Sequence, residues 1–177
     1  FFFKSYRQEK NLLNTNKSAF HVLFDSICSQ QISTSAASSI QLKSKILFNK
    51  ITLSNFASDI NKINELPITK NKKKSVLSLV KFLTLNKNIK WKLLSELDVY
   101  NHLINIFGIG PWTIHMFNIF YRGSSDIVPL NDLGFINSYK KFYKDPLLKK
   151  LESNILLWEP YGTIVTINLW SAYDSKQ

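Results

Sequence analysis

Residues 103–132 read LINIFGIGPWTIHMFNIFYRGSSDIVPLND, and this stretch decides the fold. It opens on the apolar end of a helix, turns at Gly108-Ile109-Gly110 and starts a second helix at Pro111. The two glycines allow a positive φ and a close approach of another backbone, and proline suits the first helical turn. The amides that open the second helix have no intrahelical partner and can receive an anion. A Gly-x-Gly pair alone is also typical of an ordinary helix end followed by a loop.

The charge of the chain is unevenly distributed. Its 177 residues include 23 Lys and Arg against 12 Asp and Glu, which gives a formal net charge of +11. The whole excess lies in residues 1–90, because residues 91–177 carry equal numbers of each sign. A polyanionic partner is favoured, since neutralised phosphates release counterions. The alternative is that the many lysines reflect coding bias and serve mainly solubility.

The cysteine and apolar patterns exclude several classes of protein. The single Cys28 rules out a disulfide framework within the chain and any four-cysteine metal or iron–sulfur site. It favours a reducing, intracellular compartment, either a bacterial cytoplasm or nucleoid or a nucleus. No apolar run is long enough to span a bilayer, so no membrane association is expected. Three separated histidines without a matching carboxylate cluster predict no transition-metal site.

Helical periodicity runs through the chain, and no strand alternation is visible. Residues 18–29 place apolar side chains at helical spacing, namely Phe20, Leu23, Phe24 and Ile27. Ser33 suits the N-cap of a helix that reaches about Phe48. Further helices are predicted near 53–64, 70–85, 92–96 and 98–106, after Pro111, and in three segments between Asp132 and about Tyr173. The sequence therefore predicts an all-α fold.

Three stretches, the first of them holding both the hairpin and the loop that follows it, together resemble the helix-hairpin-helix DNA glycosylases. Residues 108–113, GIGPWT, are similar to the hairpin Gly-Ile-Gly-x-Trp-Thr of the 3-methyladenine glycosylase II branch, and residues 126–132, DIVPLND, have the form of the loop that carries the family's catalytic Asp. Residues 30–37, QQISTSAA, match Gln-Gln-x-Ser-x-x-Ala-Ala. Residues 158–161, WEPY, match Trp-x-Pro-aromatic, and Leu169-Trp170 follow at the family's spacing. The resemblance covers roughly residues 18–172.

The resemblance implies a two-lobed, all-α glycosylase with a cleft between the lobes and no N-terminal β domain. Residues 1–17 are expected to form a peripheral extension, and residues 18–177 the glycosylase domain. Within that domain, the middle lobe is predicted at about 33–122, including the hairpin at 106–111. The N- and C-terminal segments are predicted to form the second lobe.

Asp132 falls on the catalytic position of the family. A carboxylate beside the anomeric carbon lowers the barrier to a sugar with oxocarbenium character. On local sequence alone, Asp132 or Asn131 is a natural N-cap for the helix that follows, and capping and catalysis are compatible roles. Aromatic side chains suit a cationic alkylated purine through stacking and cation–π attraction. The resemblance implies a base pocket formed by Trp112, Trp170, Tyr161 and Met116, whereas Trp91 and Trp158 are expected in the core.

The resemblance also implies a set of DNA contacts. Gln31 corresponds to the wedge that fills the gap left by an extruded base, although loop hydrogen bonding is the simpler reading of the glutamine pair. The lysines that open the helix near residue 70 either face a phosphate or form a solvated end. The complete predicted set comprises Gly108, Ile109, Gly110, Thr113, Gln30, Gln31, Ser33, Lys72 and Lys73. The carbonyls of Ile104, Ile106 and Ile109 are expected to hold a structural Na⁺ or K⁺, and no cofactor is required.

These implications define one principal function and two alternatives. The expected function is a monofunctional hydrolase, acting as a monomer, that removes alkylated purines of the 3-methyladenine and 7-methylguanine type from double-stranded DNA by base flipping. Bifunctional relatives carry a Lys where this chain has Trp112, and no Lys lies between Lys92 and Lys140. The alternatives are a non-catalytic helix-hairpin-helix DNA-binding module and a glycosylase of the same fold for deaminated or oxidised bases.

Overall fold

The computed structural model describes residues 16–174, with side chains to residue 172. The extension predicted at residues 1–17 lies almost wholly outside the described residues. Within the described part, all regular structure is helical, and the all-α prediction is confirmed. In that part, no helix has both the length and the apolar character needed to cross a membrane.

The described helices follow one another with short connections. Nine α-helices are interspersed with two short 3₁₀ segments, Ile60–Glu65 and Trp91–Leu93, and one π-helical turn, Asn118–Arg122. In chain order the α-helices are α1 (Ala19–Ser29), α2 (Thr34–Phe48), α3 (Leu53–Ser58), α4 (Lys70–Leu85), α5 (Glu96–Leu103), α6 (Pro111–Phe117), α7 (Leu133–Tyr143), α8 (Leu151–Trp158) and α9 (Gly162–Asp174).

Residues 16–117 form one compact unit with α1 at its centre. Helix α1 packs against α2, α4 and α6, and its apolar face is buried at the positions predicted from the periodicity. An aromatic cluster extends this core, because Phe56 of α3 lies edge-on to Phe20 and Phe24 and stacks on Phe48. Aromatic contacts of this kind add to the stabilisation that apolar burial provides.

Residues 118–174 form the second unit, in which α9 packs against α7 and α8. Its core contains Phe135, Tyr139, Leu151, Trp158 and Leu169. The placement of Trp158 in a core was predicted, and that of Trp91, buried in the first unit, was predicted as well.

The boundaries of the two units differ from the predicted lobes. The first unit begins at Asn16 rather than near Ser33, since α1 packs on three helices of the same unit. It ends at Phe117 rather than Arg122, because the π-helical turn belongs with the C-terminal helices. The helix predicted at 98–106 also ends early, at Leu103, where the chain turns into the hairpin.

Candidate functional site

Asp132 is the N-cap of α7, and its carboxylate is held by two donors. Oδ1 accepts a hydrogen bond from the backbone N–H of Phe135 at 2.5 Å and another from the indole Nε1 of Trp170 at 2.9 Å. The side chain is half-buried. An N-cap needs only the backbone donor. The second donor, brought by α9, is a tertiary contact that capping alone does not require.

Gly134 makes room for this carboxylate. A Cβ at this position would lie 3.0 Å from Oδ1 of Asp132 and 3.6 Å from both Cδ1 and Nε1 of Trp170. Glycine in a first helical turn is unfavourable by about 1 kcal/mol relative to alanine. Sequence reasoning missed this residue, although a glycine two positions after the capping Asp was the available signal.

Trp170 is positioned by a second aromatic ring. Phe120 stacks nearly parallel to it, with ring centroids 6.3 Å apart and planes inclined by 16°. The Trp170 ring also packs against the core of residues 118–174. The structure therefore brings Trp170 to Asp132, as the predicted site requires, and adds Phe120, which sequence reasoning missed.

The loop before Asp132 is fastened to the start of α9. Oδ1 of Asp126 accepts from the N–H of Gly162 at 3.0 Å. The buried Thr163 hydroxyl donates to the Ser124 carbonyl at 2.7 Å and accepts from the N–H of Ile127 at 2.9 Å. These hydrogen bonds set the register of the loop along α9, so Asp132 arrives opposite Trp170. Neither Asp126 nor Thr163 was singled out from the sequence.

Tyr161 occupies a different kind of position. It precedes α9, its side chain is 60% exposed, and its backbone N–H donates to the carbonyl of Trp158. Nine residues separate it from Trp170, which is about half a turn out of phase on a helix of 3.6 residues per turn. Its role in a base pocket stays a prediction.

The two hairpin glycines differ in what they allow. Gly108 has a φ of +80°, and a Cβ there would meet Oγ of Ser75 at 1.8 Å and its Cβ at 2.7 Å. Gly110 lacks a positive φ, and a Cβ on it would have no atom within 4 Å. Gly108 is therefore required by packing against α4, whereas the Cβ position of Gly110 is unobstructed. Of the two hairpin glycines, which the sequence analysis expected to allow a positive φ, only Gly108 has one.

Gln30 and Thr113 bond to each other within the unit. Nε2 of Gln30 donates to the carbonyl of Gly108 and to the hydroxyl of Thr113, both at 3.0 Å. Thr113 is only 1% exposed. Ile109, between the glycines, is buried as well. These side chains are therefore engaged within the unit, and their predicted contacts with DNA stay a prediction.

The two predicted lysines also donate to the backbone. Nζ of Lys72 lies 2.7 Å from the carbonyls of Cys28 and Gln30, and Nζ of Lys73 donates to the carbonyl of Asn64. Burial lowers the pKa of Lys72. On the same helix, Lys70 and Lys74 are exposed.

The turn between α1 and α2 presents Gln31 to solvent. Gln31 is exposed and has a φ of +56°, and Ser33 caps α2 by accepting from the N–H of Ala36 at 3.3 Å. The predicted capping role of Ser33 is confirmed. The wedge role of Gln31 stays a prediction. An exposed side chain on a turn residue with a positive φ suits that role.

Helix α6 carries two of the predicted pocket residues one turn apart. Trp112 is partly exposed, whereas Met116 is 6% exposed and packs in the first unit. Between them, His115 has a buried Nδ1 without a hydrogen-bond partner among the described residues. Burial lowers the pKa of His115, and the Glu96 carboxylate opposes this shift.

The remaining chemistry-bearing groups do not form a site. Burial raises the pKa of Cys28 to about 12, and the Asp25 carboxylate adds to this shift, so the thiol is a poor nucleophile. No cluster of His, Cys, Asp and Glu suited to a metal ion occurs among residues 16–174.

The predicted cation site uses carbonyl oxygens, which are suitable donors for Na⁺ or K⁺. Of the three, the Ile106 carbonyl accepts a hydrogen bond from the N–H of Ile109 at 3.0 Å and keeps a second lone pair. The donor set thus fits a monovalent cation chemically, and the cation itself stays a prediction.

Comparison with known proteins supports one family. No protein-family model matches the chain. The chain is 30% identical over 162 residues to the DNA-3-methyladenine glycosylase of Saccharomyces cerevisiae, which covers 84% of this chain and 55% of that protein. Its fold matches the crystal structure of DNA-3-methyladenine glycosidase from Bacillus halodurans with a TM-score of 0.75 at 25% identity, over 91% of this chain and 78% of that one. In sequence and in fold, the chain resembles the 3-methyladenine DNA glycosylase branch of the helix-hairpin-helix superfamily.

A further member of this branch supports the fold. The 3-methyladenine DNA glycosylase of Schizosaccharomyces pombe, solved in complex with abasic DNA, matches with a TM-score of 0.74 at 23% identity, over 94% of this chain and 89% of that one. The chain spans at most about half the length of the sequence relatives that it matches. The predicted resemblance to the branch and the all-α fold are confirmed.

Proposed function

We propose that this chain is a monofunctional DNA glycosylase that hydrolyses the N-glycosidic bond of alkylated purines, of the 3-methyladenine and 7-methylguanine type, in double-stranded DNA. It acts as a monomer inside the cell, where its DNA substrate lies. The observation that carries the proposal is the doubly held carboxylate of Asp132, with Gly134 leaving space beside it.

The role of Asp132 follows from the chemistry of the bond. Cleavage develops positive charge on the sugar, and a fixed negative charge nearby stabilises the transition state without reorganising. The Phe135 N–H and the Trp170 indole hold the carboxylate in one orientation. Orientation matters because a misplacement of about 1 Å can reduce a rate about a hundredfold.

Recognition of the base is proposed to use the electron-rich face of Trp170. Alkylation on a ring nitrogen makes a purine cationic, which improves it as a leaving group and attracts it to an aromatic face. Trp170 keeps its plane because Phe120 stacks on it and its Nε1 is bonded to Asp132. The nucleotide must leave the duplex to reach such a ring, at a cost of a few kcal/mol.

A hydrolytic rather than a lyase mechanism is proposed from the side chains available. A Schiff base needs an amine beside the sugar, and the sequence has no Lys between Lys92 and Lys140. Borohydride treatment of the protein with damaged duplex is expected to trap no covalent adduct. A trapped adduct would contradict the monofunctional mechanism.

The deciding experiment is single-turnover release of methylated purines from alkylated duplex DNA by wild type and Asp132→Asn. The substitution keeps size and capping ability but removes the charge, so release is expected to fall at least about a hundredfold, comparable to loss of one transition-state electrostatic contact. The matched control is Asp126→Asn, which removes a charge in the same loop but keeps an oxygen that can accept from the N–H of Gly162, so the loop should stay in place. The control should retain release.

Other outcomes assign the function differently. Equal release by wild type and Asp132→Asn would leave a glycosylase with another catalytic group. Binding of duplex DNA without any release of methylated purines by the wild type would favour the binding module or a different lesion.

A further inference from the structure

The turn at residues 30–33 and the hairpin at residues 106–111 are tied together by Gln30. Its Nε2 donates to the carbonyl of Gly108 and to the hydroxyl of Thr113. A primary amide has two N–H groups, so both donors are used within the chain. A carbonyl can only accept, which means that the nitrogen and not the oxygen of the amide must face Gly108.

This hydrogen bonding changes what Gln30 can do toward DNA. A phosphate oxygen needs a donor, and the remaining group of Gln30 is an amide oxygen, which is an acceptor. The hydroxyl of Thr113 is enclosed. Direct phosphate contacts by these two side chains are therefore disfavoured on chemical grounds.

Lys72 holds the other side of the same turn. Its ammonium donates to the carbonyls of Cys28 and Gln30, at and just past the end of α1. The last carbonyls of a helix lack intrahelical donors, and a cation there also offsets the negative end of the helix dipole. Gln30 is thus held through its carbonyl by Lys72 and holds the hairpin through its amide.

We propose that Gln30 and Lys72 are positioning residues, forming a brace that keeps the exposed turn at Gln31 and the hairpin at residues 106–111 in fixed register as one preformed surface for the DNA backbone. The inference rests on the proposed function, because it assigns the DNA-facing surface of that activity. A surface ordered before binding spares the cost of ordering it on binding.

The first test is a double-mutant cycle with Gln30→Leu and Thr113→Val. Each removes one partner of the Gln30–Thr113 hydrogen bond, and both keep approximate size. Affinity for a duplex carrying a tetrahydrofuran abasic analogue should fall about tenfold for Gln30→Leu, as expected for loss of about one net hydrogen-bond contribution. Thr113→Val should add little in the Gln30→Leu background, because the two share one interaction.

The second test separates a brace from a phosphate contact by salt dependence. Loss of a lysine that contacts phosphate reduces the magnitude of the negative slope of log K against log salt by about 0.9. Lys72→Met should lower affinity about tenfold with an unchanged slope, because its ammonium already serves the backbone. The control, Lys81→Met, removes an exposed lysine about half a turn round α4 and should change neither quantity.

Hydrogen exchange of the free protein makes the inference independent of activity. Gln30→Leu should speed exchange of the amides at 106–113 while the rest of residues 16–117 stays protected, which also shows that the variant is folded. Additive effects in the cycle, a reduced salt slope for Lys72→Met, or unchanged exchange in the hairpin would each overturn the brace. If wild type bound no DNA but the exchange result held, the proposed function would fail and the brace would stand as an internal element of the fold.

Discussion

The two units use their predicted functional residues in opposite ways. In residues 118–174, the surrounding structure converges on one carboxylate: a backbone N–H and an indole donate to Asp132, and a glycine leaves it space. In residues 16–117, several residues predicted to contact DNA are hydrogen-bonded to one another. A conspicuous motif can therefore mark either a group that acts on a ligand or the frame that holds such a group.

The largest effect is expected at Gly108. Gly108→Ala should destabilise the protein by about 2–4 kcal/mol, because the alanine would have to adopt a positive φ and its Cβ would collide with Ser75. Urea unfolding measures the loss. Gly110→Ala is the matched control and should shift stability by less than about 0.5 kcal/mol, since its Cβ would be in open space. Equal losses of stability at both glycines would contradict the distinction between Gly108, enclosed by α4, and Gly110, whose Cβ position is unobstructed.

Removing the indole donor tests the other unit. Trp170→Phe keeps an aromatic ring that can stack on Phe120 but loses the hydrogen bond to Asp132. A hydrogen bond to a charged group contributes about 1.5–3 kcal/mol, so base release should slow by roughly ten- to a hundredfold. Single-turnover release measures the effect, and Trp158→Phe, a change in the core, serves as the packing control. A rate of base release equal to that of wild type would show that the Trp170 indole does not orient the carboxylate.

Gly134→Ala should separate stability from activity. The added Cβ would press on Oδ1 of Asp132 at 3.0 Å and shift the carboxylate, while alanine favours the helix. Base release should fall several-fold, roughly 1 kcal/mol of barrier, with a melting temperature at or above that of wild type. Parallel loss of both would mean that Gly134 serves packing alone.

The smallest effect concerns pH and the first unit. Burial depresses the pKa of His115 in the folded state, so below the unfolded-state value near 6.5 the unfolded chain binds more protons than the folded one. Stability should therefore decline as pH falls through and below that value, and His115→Leu should flatten the decline. Urea midpoints from pH 7.5 to 5 provide the measurement. An unchanged slope in the variant would assign the decline to other groups, such as His21, whose pKa burial also lowers.

Local patterns were sufficient for most of the helices and for the capping role of Asp132. Apolar residues at helical spacing predicted α1, and the capping residue Ser33 predicted the start of α2, because both signals depend only on near neighbours in sequence. The same is true of Asp132 as the cap of α7. The resemblance of the hairpin and its loop supplied the family.

Tertiary packing alone decided which of the candidate residues are framework. The pairing of Gln30 with Gly108 spans 78 positions, and that of Trp170 with Asp132 spans 38. Sequence spacing cannot show that the side-chain amide of Gln30 donates twice within the chain. Nor can it show that a Cβ on Gly108 would meet Ser75 while one on Gly110 would be in open space. The sequence determined most of the helices, the resemblance to the glycosylases and the residue types of the proposed site. Only the folded arrangement determined the partner of each polar group, because a donor bonds to whichever acceptor the packing brings within reach.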